Sequence, residues 1–319
     1  MYKILLTGIG SIGKRHLRLL QAHDDPMEIH AYRSSGTDDV AFPDVVQHTS
    51  LDAALAENPD IAFITNPTSV HINTATACAA AGCHLFIEKP LSHSLDGVDE
   101  LMRIVEEKNL ITYVGCVLRF HPVLQRIASL LADDAIGDIY SYRVYSGSYL
   151  PDWRPEQDYR ESYSADPAMG GGVVMDLIHK IDYSYWLFGD IDDVRSWVGQ
   201  VSDLEIESED LAEIIVETDT GVVGQLHLNY YRSKPRRTVE VIGDSGIIHG
   251  DLLDSEVRIQ TNHSTETESF DTPDDELYDQ QLHSFLSHIR NGEPCDNDLQ
   301  EARRVLEIAL EIKSYDNPE

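Results

Sequence analysis

Long hydrophobic runs are missing from this chain of 319 residues: no segment approaches the ~20 consecutive apolar residues that a membrane-spanning helix needs. The N-terminus also lacks the basic, apolar and small-residue regions that follow one another in a signal peptide. We therefore expect a cytoplasmic protein that has no membrane as a partner.

Cysteine is scarce as well. Only Cys78, Cys83, Cys116 and Cys295 are present, and no two of them form a C-x-x-C pair. None stands at metal-ligand spacing from a histidine. The pattern excludes a disulfide scaffold, predicts no bound metal and favours buried thiols in a reducing compartment.

Positive charge is the third shortage. The chain has 24 Lys and Arg residues, only seven of them lysine, against 56 Asp and Glu, for a formal net charge of -32. This balance argues against nucleic acid as a partner. An acid-rich, lysine-poor surface resembles that of proteins from salt-adapted cells, which repels itself in dilute buffer and is screened at high salt. The alternative is an ordinary acidic cytosolic protein.

The first informative stretch that is present lies at the start of the chain. Ile4–Leu6 reads as a buried strand, and Gly8, Gly10 and Gly13 follow it at G-x-G-x-x-G spacing before a helical pattern over 12–20. The first glycine permits a tight turn, the second a close approach to a pyrophosphate, and the third close packing of helix on strand. With the helix N-terminus facing the phosphates, this stretch predicts dinucleotide binding. The alternative is a phosphate-free turn between strand and helix.

Alternating strand and helix patterns continue to about residue 117, and they change character after that. The strand-like runs are Glu28–Ser35, Val45–Gln47, Ile61–Thr65, His84–Glu88 and Ile111–Cys116. Repeated βα units of this kind give a parallel, doubly wound sheet. Longer runs with strand alternation follow between 139 and 242, which predict an α+β domain with an open, mostly antiparallel sheet. We therefore expect an α/β protein with a first domain over 1–118 and a second over 119–319. An open sheet face also predicts a homo-oligomer that forms through the sheet.

The cofactor preference is predicted from the end of the second strand. An enzyme that uses NAD places an acid there, about 20 residues after the glycines, to bind the ribose 2′-hydroxyl. This chain has Arg33 and Ser34 instead, which suit the 2′-phosphate of NADP. NAD is the second choice, with Arg33 then a solvated residue against adenine, or with Asp38 or Asp39 reaching the ribose.

Two stretches carry residues suited to acid–base chemistry. Lys89, within Glu88-Lys89-Pro90, follows a strand at the sheet edge where ligands bind, and can stabilise a developing alkoxide. Asp176, His179 and Asp182 lie three apart on a predicted helix, so the acids can orient the imidazole as a general base. The alternatives are a lysine at a solvated strand end and a buried structural histidine.

An aromatic and polar loop precedes that helix. It contains Trp153, Arg154 and Tyr163. Aromatic faces with arginine suit a sugar ring, or a nucleotide-sugar whose phosphates lie on the guanidinium. A structural loop fixed by Trp153 is the alternative.

Taken in order, these motifs resemble the glucose–fructose oxidoreductase/inositol dehydrogenase (Gfo/Idh/MocA) family nearly from end to end. The matching motifs are Gly8-x-Gly10-x-x-Gly13 with His16, Thr65-Asn66-Pro67 with His71, Glu88-Lys89-Pro90, Arg119-Phe120-His121-Pro122, and Gly170-Gly171-Gly172 with Asp176, His179 and Asp182. The resemblance implies a Rossmann domain, a sheet-faced second domain and hydride transfer between a sugar-like carbon and nicotinamide. It implies Lys89 and His179 as catalytic residues and Asp176 as the helix carboxylate.

The resemblance extends to the binding residues. The cofactor would contact Gly8, Gly10, Ser11, Ile12, Gly13, Arg33, Ser34, Thr65, Asn66, Pro67, His71, Glu88 and Lys89. The substrate, a sugar or nucleotide-sugar, would contact Arg119, Trp153, Arg154, Tyr163, Asp176 and His179.

One departure from the family pattern concerns the second catalytic stretch. Many members place the histidine four positions after the aspartate, whereas Asp176 and His179 are three apart. The shorter form resembles members associated with nucleotide-sugar and surface-polysaccharide pathways, and it leaves the role of Asp176 open. Other activities consistent with the motifs are a non-catalytic dinucleotide sensor and a lyase or hydrolase that recycles its cofactor.

Overall fold

The computed structural model describes residues 1–33, 42 and 44–314. The chain forms two compact units. The first comprises Met1–Cys116 and Tyr278–Leu306, and the second comprises Val117–Leu277 and the chain from Glu307 onward. The segment Tyr278–Leu306 thus groups with the N-terminal unit, whereas the sequence alone predicts everything from residue 119 to lie in the second domain.

The first unit is built on a parallel sheet. Its strands are β1 (Tyr2–Thr7), β2 (Met27–Tyr32), β3 (Val46–His48), β4 (Ile61–Ile64), β5 (His84–Ile87) and β6 (Thr112–Val114), in the order β3-β2-β1-β4-β5-β6. The helices between them are α1 (Ser11–Ala22), α2 (Leu51–Leu55), α3 (His71–Ala81) and α4 (Val98–Lys108). This order is that of a doubly wound nucleotide-binding sheet, so the predicted fold class of the first unit is confirmed.

Burial explains why the strands of this sheet are continuously apolar. Ile4, Leu5 and Leu6 of β1 are fully buried, as are all four residues of β4. A parallel sheet has helices on both faces, so neither face of a central strand can be polar.

The second unit is built on a larger, mixed sheet. Its helices are α5 (Pro122–Ala132), α6 (Val173–Asp176) and α7 (His179–Phe188), and its strands are β7 (Ile139–Tyr149), β8 (Ile191–Gly199), β9 (Leu211–Thr218), β10 (Val223–Asn229), β11 (Tyr231–Gly243), β12 (Gly246–Asp251), β13 (Glu256–Thr261) and β14 (Thr265–Ser269). The strand order is β14-β13-β12-β11-β7-β10-β9-β8. Among the described strands of this sheet, only β7 and β10 pair in parallel, which confirms the mostly antiparallel sheet.

Side chains along these strands alternate between a covered and an open face. In β9, Ala212, Ile214, Val216 and Thr218 are buried, and the residues between them are not. This alternation is the signature of an antiparallel sheet packed on one side only.

Two further helices complete the described chain: α8 (Asp274–Asn291) and α9 (Leu299–Ser314). None of the helices formed by the described residues has the length and apolar character that spanning a membrane requires.

Candidate active site

The glycine-rich turn lies between β1 and α1. Gly8 has φ +115°, and a Cβ there would lie 3.1 Å from the backbone of Asn66. A Cβ on Gly13 would lie 2.2 Å from the carbonyl oxygen of Gly8, so this contact admits glycine only. At Gly10, in contrast, a Cβ would have no neighbour within 4 Å. The first and third glycines are therefore required by the turn itself, whereas the second is not.

Gly10 is also the N-cap of α1, and no side chain caps the helix there. Ser11, which begins the helix, is exposed, and Ile12 is half-buried. Backbone N–H groups at such a helix start suit a phosphate.

The residue predicted to bind the ribose 2′-phosphate, Arg33, lies at the end of β2. Arg33 directly follows the strand, is half-buried, and donates its backbone N–H to the carbonyl oxygen of His48 at 3.0 Å. Ser34, its predicted companion, lies outside the described residues, as do Asp38 and Asp39.

The turn after β4 packs against the glycine-rich turn. The Thr65 hydroxyl donates to the carbonyl oxygen of Gly8 at 2.7 Å, and the Asn66 side-chain amide donates to the Thr74 hydroxyl at 2.8 Å. Pro67 is exposed and begins a 3₁₀ turn over Thr68–Val70. The structure thus brings this motif to the same edge of the sheet as the glycines.

Glu88-Lys89-Pro90 follows β5 at that edge. Glu88 is buried, with an exposed fraction of 7%, and one carboxylate oxygen lies 2.7 Å from Nε2 of His16 in α1. Lys89 is half-buried, and the Lys89–Pro90 peptide bond is cis. The carboxylate of Glu88 is therefore directed toward α1.

His71, at the start of α3, is buried between two backbone carbonyl groups. Nε2 lies 2.8 Å from the oxygen of Asn66, and Nδ1 lies 3.0 Å from the oxygen of Pro90. Burial lowers the pKa of His71, although the two carbonyl groups and Glu88 act in the opposite direction.

In the second unit, the catalytic stretch is two short helices instead of the single helix that the sequence predicts. Helix α6 ends at Asp176 and α7 begins at His179. The N–H groups of Ile178, Lys180 and Ile181 bond three residues back, as in a 3₁₀ helix. Side chains at i and i+3 eclipse in that geometry, so the shortened spacing still leaves Asp176 and His179 on one face.

Two tyrosine hydroxyl groups form hydrogen bonds to Asp176. The Tyr230 hydroxyl donates to its carboxylate at 2.5 Å, and the carboxylate has an exposed fraction of only 5%. Tyr163 also hydrogen-bonds to Asp176, and burial followed by the charge of that carboxylate raises the pKa of both Tyr163 and Tyr230. Both phenols consequently stay protonated as donors.

Arg119 and Asp182 form a buried ion pair. Nε of Arg119 lies 3.1 Å from Oδ2 of Asp182, and Nη2 lies 2.8 Å from Oδ1, with exposed side-chain fractions of 6% and 1%. Two parallel hydrogen bonds of this kind fix a carboxylate in orientation as well as in place. The pairing gives Arg119 a protein partner where the sequence predicts a substrate contact, and it takes Asp182 away from the predicted acid–histidine–acid row.

The remaining predicted substrate residues lie in the loop after β7. Trp153 donates its indole N–H to the Ser148 hydroxyl at 2.8 Å and packs edge-on against Tyr230 at 5.3 Å between ring centroids. The guanidinium of Arg154 lies 5.6 Å from the ring centroid of Tyr163. The loop thus packs against the two phenols that hold Asp176. His179 itself is half-buried.

Tyr230 is the site residue that sequence reasoning does not find. It lies between β10 and β11, where Asn229-Tyr230-Tyr231 reads as the end of an ordinary strand. Its distance from Asp176 along the chain leaves no local spacing that would reveal the contact.

Both units match family models of known proteins. Residues 2–116 match the family model described as the oxidoreductase family with an NAD-binding Rossmann fold, and residues 124–249 match the GFO/IDH/MocA C-terminal domain. The chain belongs to the Gfo/Idh/MocA family. It is therefore an oxidoreductase with a dinucleotide-binding Rossmann domain, as the motifs indicate.

Several relatives cover nearly all of the chain. Myo-inositol 2-dehydrogenase of Thermotoga maritima is 24% identical over 317 residues, covering 92% of this chain and 89% of that enzyme. UDP-N-acetylglucosamine 3-dehydrogenase of Acidithiobacillus ferrooxidans is 26% identical, covering 97% of this chain and 95% of that enzyme. The solved structure of the latter shares the fold, with a TM-score of 0.81 over 98% of this chain and 96% of that one. D-xylose 1-dehydrogenase (NADP(+)) 2 of Haloferax volcanii is 23% identical, covering 86% and 83%.

Proposed function

We propose that this family member transfers a hydride between a hydroxyl-bearing carbon of a sugar or nucleotide-sugar and the nicotinamide of NADP. The observation that carries the proposal is the glycine-rich turn, because its first and third glycines are dictated by contacts within the fold and the second is not. The fold leaves room for a larger residue at position 10, where the helix starts, but the residue there is glycine. A glycine at this place suits the close approach of a pyrophosphate. The full-length relatives named above act on inositol, a nucleotide-sugar and a pentose.

The preference for NADP depends on Arg33 at the end of β2. A guanidinium there matches a 2′-phosphate, which an acid would repel. The xylose dehydrogenase from Haloferax volcanii carries NADP(+) in its name, which supports this choice. NAD remains the second choice.

In the proposed reaction, the dinucleotide supplies or accepts the hydride. His179 removes the proton from the substrate hydroxyl during oxidation, and Lys89 stabilises the negative charge that develops on that oxygen. Asp176, held between two phenols, contacts the substrate and sets the orientation of the sugar. Trp153 packs against Tyr230, and Arg154 lies against Tyr163. Trp153 and Arg154 are the proposed contacts to the sugar ring and its substituent.

A titration with NADPH and with NADH, followed by quenching of protein fluorescence, tests the cofactor. We expect tight NADPH binding and weaker NADH binding. Gly10→Ala should keep the fold, because the added methyl group meets nothing, but should weaken dinucleotide binding. Unchanged binding by Gly10→Ala would contradict the proposed pyrophosphate position. A wild-type preference for NADH would contradict the role of Arg33.

Turnover on a panel of sugars and nucleotide-sugars tests the chemistry. Lys89→Met should lower kcat by at least ~100-fold, the usual contribution of a positioned acid–base group. Wild-type turnover in this variant would remove Lys89 from the mechanism.

We also propose that the protein forms a homodimer or homotetramer through the open face of the second unit's sheet. Trp197, Ile215 and Val223 lie on neighbouring strands of that face with exposed fractions of 40%, 53% and 44%. Light scattering on the wild type and on Ile215→Glu tests this, because a charge within this exposed apolar group should shift the protein toward monomer.

A further inference from the structure

The segment that carries Lys89 is contacted on both sides by buried imidazoles. His16 has an exposed fraction of 1% and His71 of 2%. The first lies in α1 and the second begins α3, so the two histidines approach the strand end from different helices.

On the N-terminal side of Lys89, the contact is with the Glu88 side chain. His16 places Nε2 at 2.7 Å from the carboxylate, and its ring packs against Phe63 and Phe86 at 5.4 and 4.9 Å between centroids. A Cβ on Gly115 would lie only 3.2 Å from the same carboxylate. The carboxylate therefore occupies the space that a side chain at position 115 would need.

The carboxylate of Glu88 also acts on the backbone of the lysine. Its second oxygen accepts the N–H of Lys89 at 3.3 Å. His16, Glu88 and the Lys89 backbone thus form one chain of hydrogen bonds leading from the helix of the glycine-rich turn.

On the C-terminal side, the contact is with the backbone of Pro90. His71 places Nδ1 at 3.0 Å from the Pro90 carbonyl oxygen, and its other nitrogen lies 2.8 Å from the carbonyl oxygen of Asn66. His71 therefore joins the proposed cofactor turn after β4 to the turn that carries Lys89.

We propose that His16 and His71 are positioning residues: together they fix the backbone on either side of Lys89 and so hold its ammonium group where the substrate oxygen reacts. The inference depends on the proposed role of Lys89. It assigns His71, which the sequence predicts to contact the cofactor, a role through the protein backbone instead. A shift of about 1 Å in a catalytic group is enough to lower turnover by ~100-fold, which is why the backbone on both sides matters.

Amide side chains allow each hydrogen bond to be tested separately. The amide nitrogen of glutamine lies near the position of a histidine Nε2, and that of asparagine near Nδ1. His16→Gln therefore keeps a donor for Glu88, whereas His16→Phe keeps only the ring. His71→Asn keeps a donor for Pro90, whereas His71→Gln keeps the donor for Asn66.

The experiment measures kcat with the best substrate and the dissociation constant for NADPH in all four variants. We expect His16→Phe and His71→Gln to lower kcat by about 10- to 100-fold with little change in NADPH affinity. His16→Gln should restore kcat to within about threefold of wild type. His71→Asn retains an N–H donor near the Pro90 carbonyl oxygen, so it should lower kcat less than His71→Gln does.

The outcomes separate this inference from the proposed function. If Lys89→Met is inactive but His16→Phe and His71→Gln turn over like wild type, the positioning role is wrong and the function stands. If Lys89→Met retains wild-type turnover, the proposed function of the lysine fails first. If circular dichroism shows that His16→Phe does not fold, the two His71 variants test the inference instead. Equal kcat losses in that pair would overturn the inference.

Discussion

The two units hold their candidate catalytic residues with different chemistry. In the first unit, the segment around Lys89 is held by imidazoles, His16 against a carboxylate and His71 against a carbonyl oxygen. In the second unit, Asp176 is held by phenols, and the first turn of α7 is held by the guanidinium of Arg119 on Asp182. All of these groups are buried or nearly so, but only the imidazoles have an ordinary pKa close to neutrality.

Because of this difference, we expect the two units to differ in their sensitivity to pH. A phenol or a guanidinium keeps its proton throughout the physiological range, so the contacts in the second unit have a fixed charge state. An imidazole does not, so the contact that His71 makes beside Lys89 responds to acidification. We expect substitutions that remove a fixed charge to change the stability of the protein most, and changes of solvent conditions to change it least.

The largest expected effect follows from breaking the Arg119–Asp182 pair. Asp182→Asn leaves a buried guanidinium without its counter-charge, which should lower the free energy of unfolding by about 3–5 kcal/mol. Asp193→Asn is the matched control, since Asp193 pairs with Arg195 at 3.2 Å on the surface, with side chains 55% and 71% exposed. An exposed pair of this kind is worth at most about 1 kcal/mol. Chemical denaturation measures both, and equal losses would contradict the importance of burial here.

A smaller effect is expected from removing one phenol. Tyr230→Phe deletes the hydroxyl that donates to Asp176 at 2.5 Å, and a hydrogen bond to a charged group contributes about 1.5–3 kcal/mol. The variant should also lower kcat, because the carboxylate loses its orientation. Tyr140→Phe, at a residue with an exposed fraction of 62%, serves as the control. If both variants denature at the same urea concentration, the Tyr230 hydroxyl does not stabilise the fold.

The sequence predicts the first unit more completely than the second for a physical reason. Strand, glycine turn and helix of the first βα unit lie within 21 residues, so local spacing encodes their contacts. Even there, local chemistry misleads at one helix start. Serine is a residue type that often caps a helix N-terminus, but the Ser94 hydroxyl accepts the N–H of Asp96 in a local turn, and α4 begins only at Val98.

The contacts of the second unit are not local, and spacing gives little information about them. Asp176 and Tyr230 are 54 residues apart, and Arg119 and Asp182 are 63 apart. The sequence identifies Asp176 and Asp182 as members of one acidic row, but the fold separates them by giving each its own partner. The 3₁₀ turn after Asp176 is likewise invisible in the sequence, because a helix that tightens for one turn keeps the same apolar pattern.

Acidification is expected to affect the first unit selectively. Burial lowers the pKa of His71 below its ordinary value of 6.5, so the folded protein binds fewer protons there than the unfolded chain. The contribution to stability is therefore full above pH 6.5 and is lost as the pH falls below it, by at most about 1.4 kcal/mol per pH unit for one group. His71→Asn should flatten the dependence of the free energy of unfolding on pH between 7 and 5. Tyr230→Phe should leave that slope unchanged, because the pKa of this phenol lies well above 10. An identical slope in wild type and His71→Asn would show that His71 contributes nothing to it.

Salt is expected to produce the smallest change in the comparison, because it acts on the surface and spares the buried contacts. With a net charge of -32, the chain repels itself in dilute buffer, and raising the ionic strength from 0.1 M to 1 M shortens the screening length from about 10 Å to about 3 Å. The melting temperature of the wild type should therefore rise in molar potassium chloride. The deficit of Asp182→Asn relative to wild type should stay the same at both salt concentrations, since buried charges are screened far less than exposed ones. A melting temperature that does not rise would contradict the halophile-like surface, whereas a deficit that disappears in salt would mean that solvent ions reach Arg119 and that the second unit is not held by a buried pair.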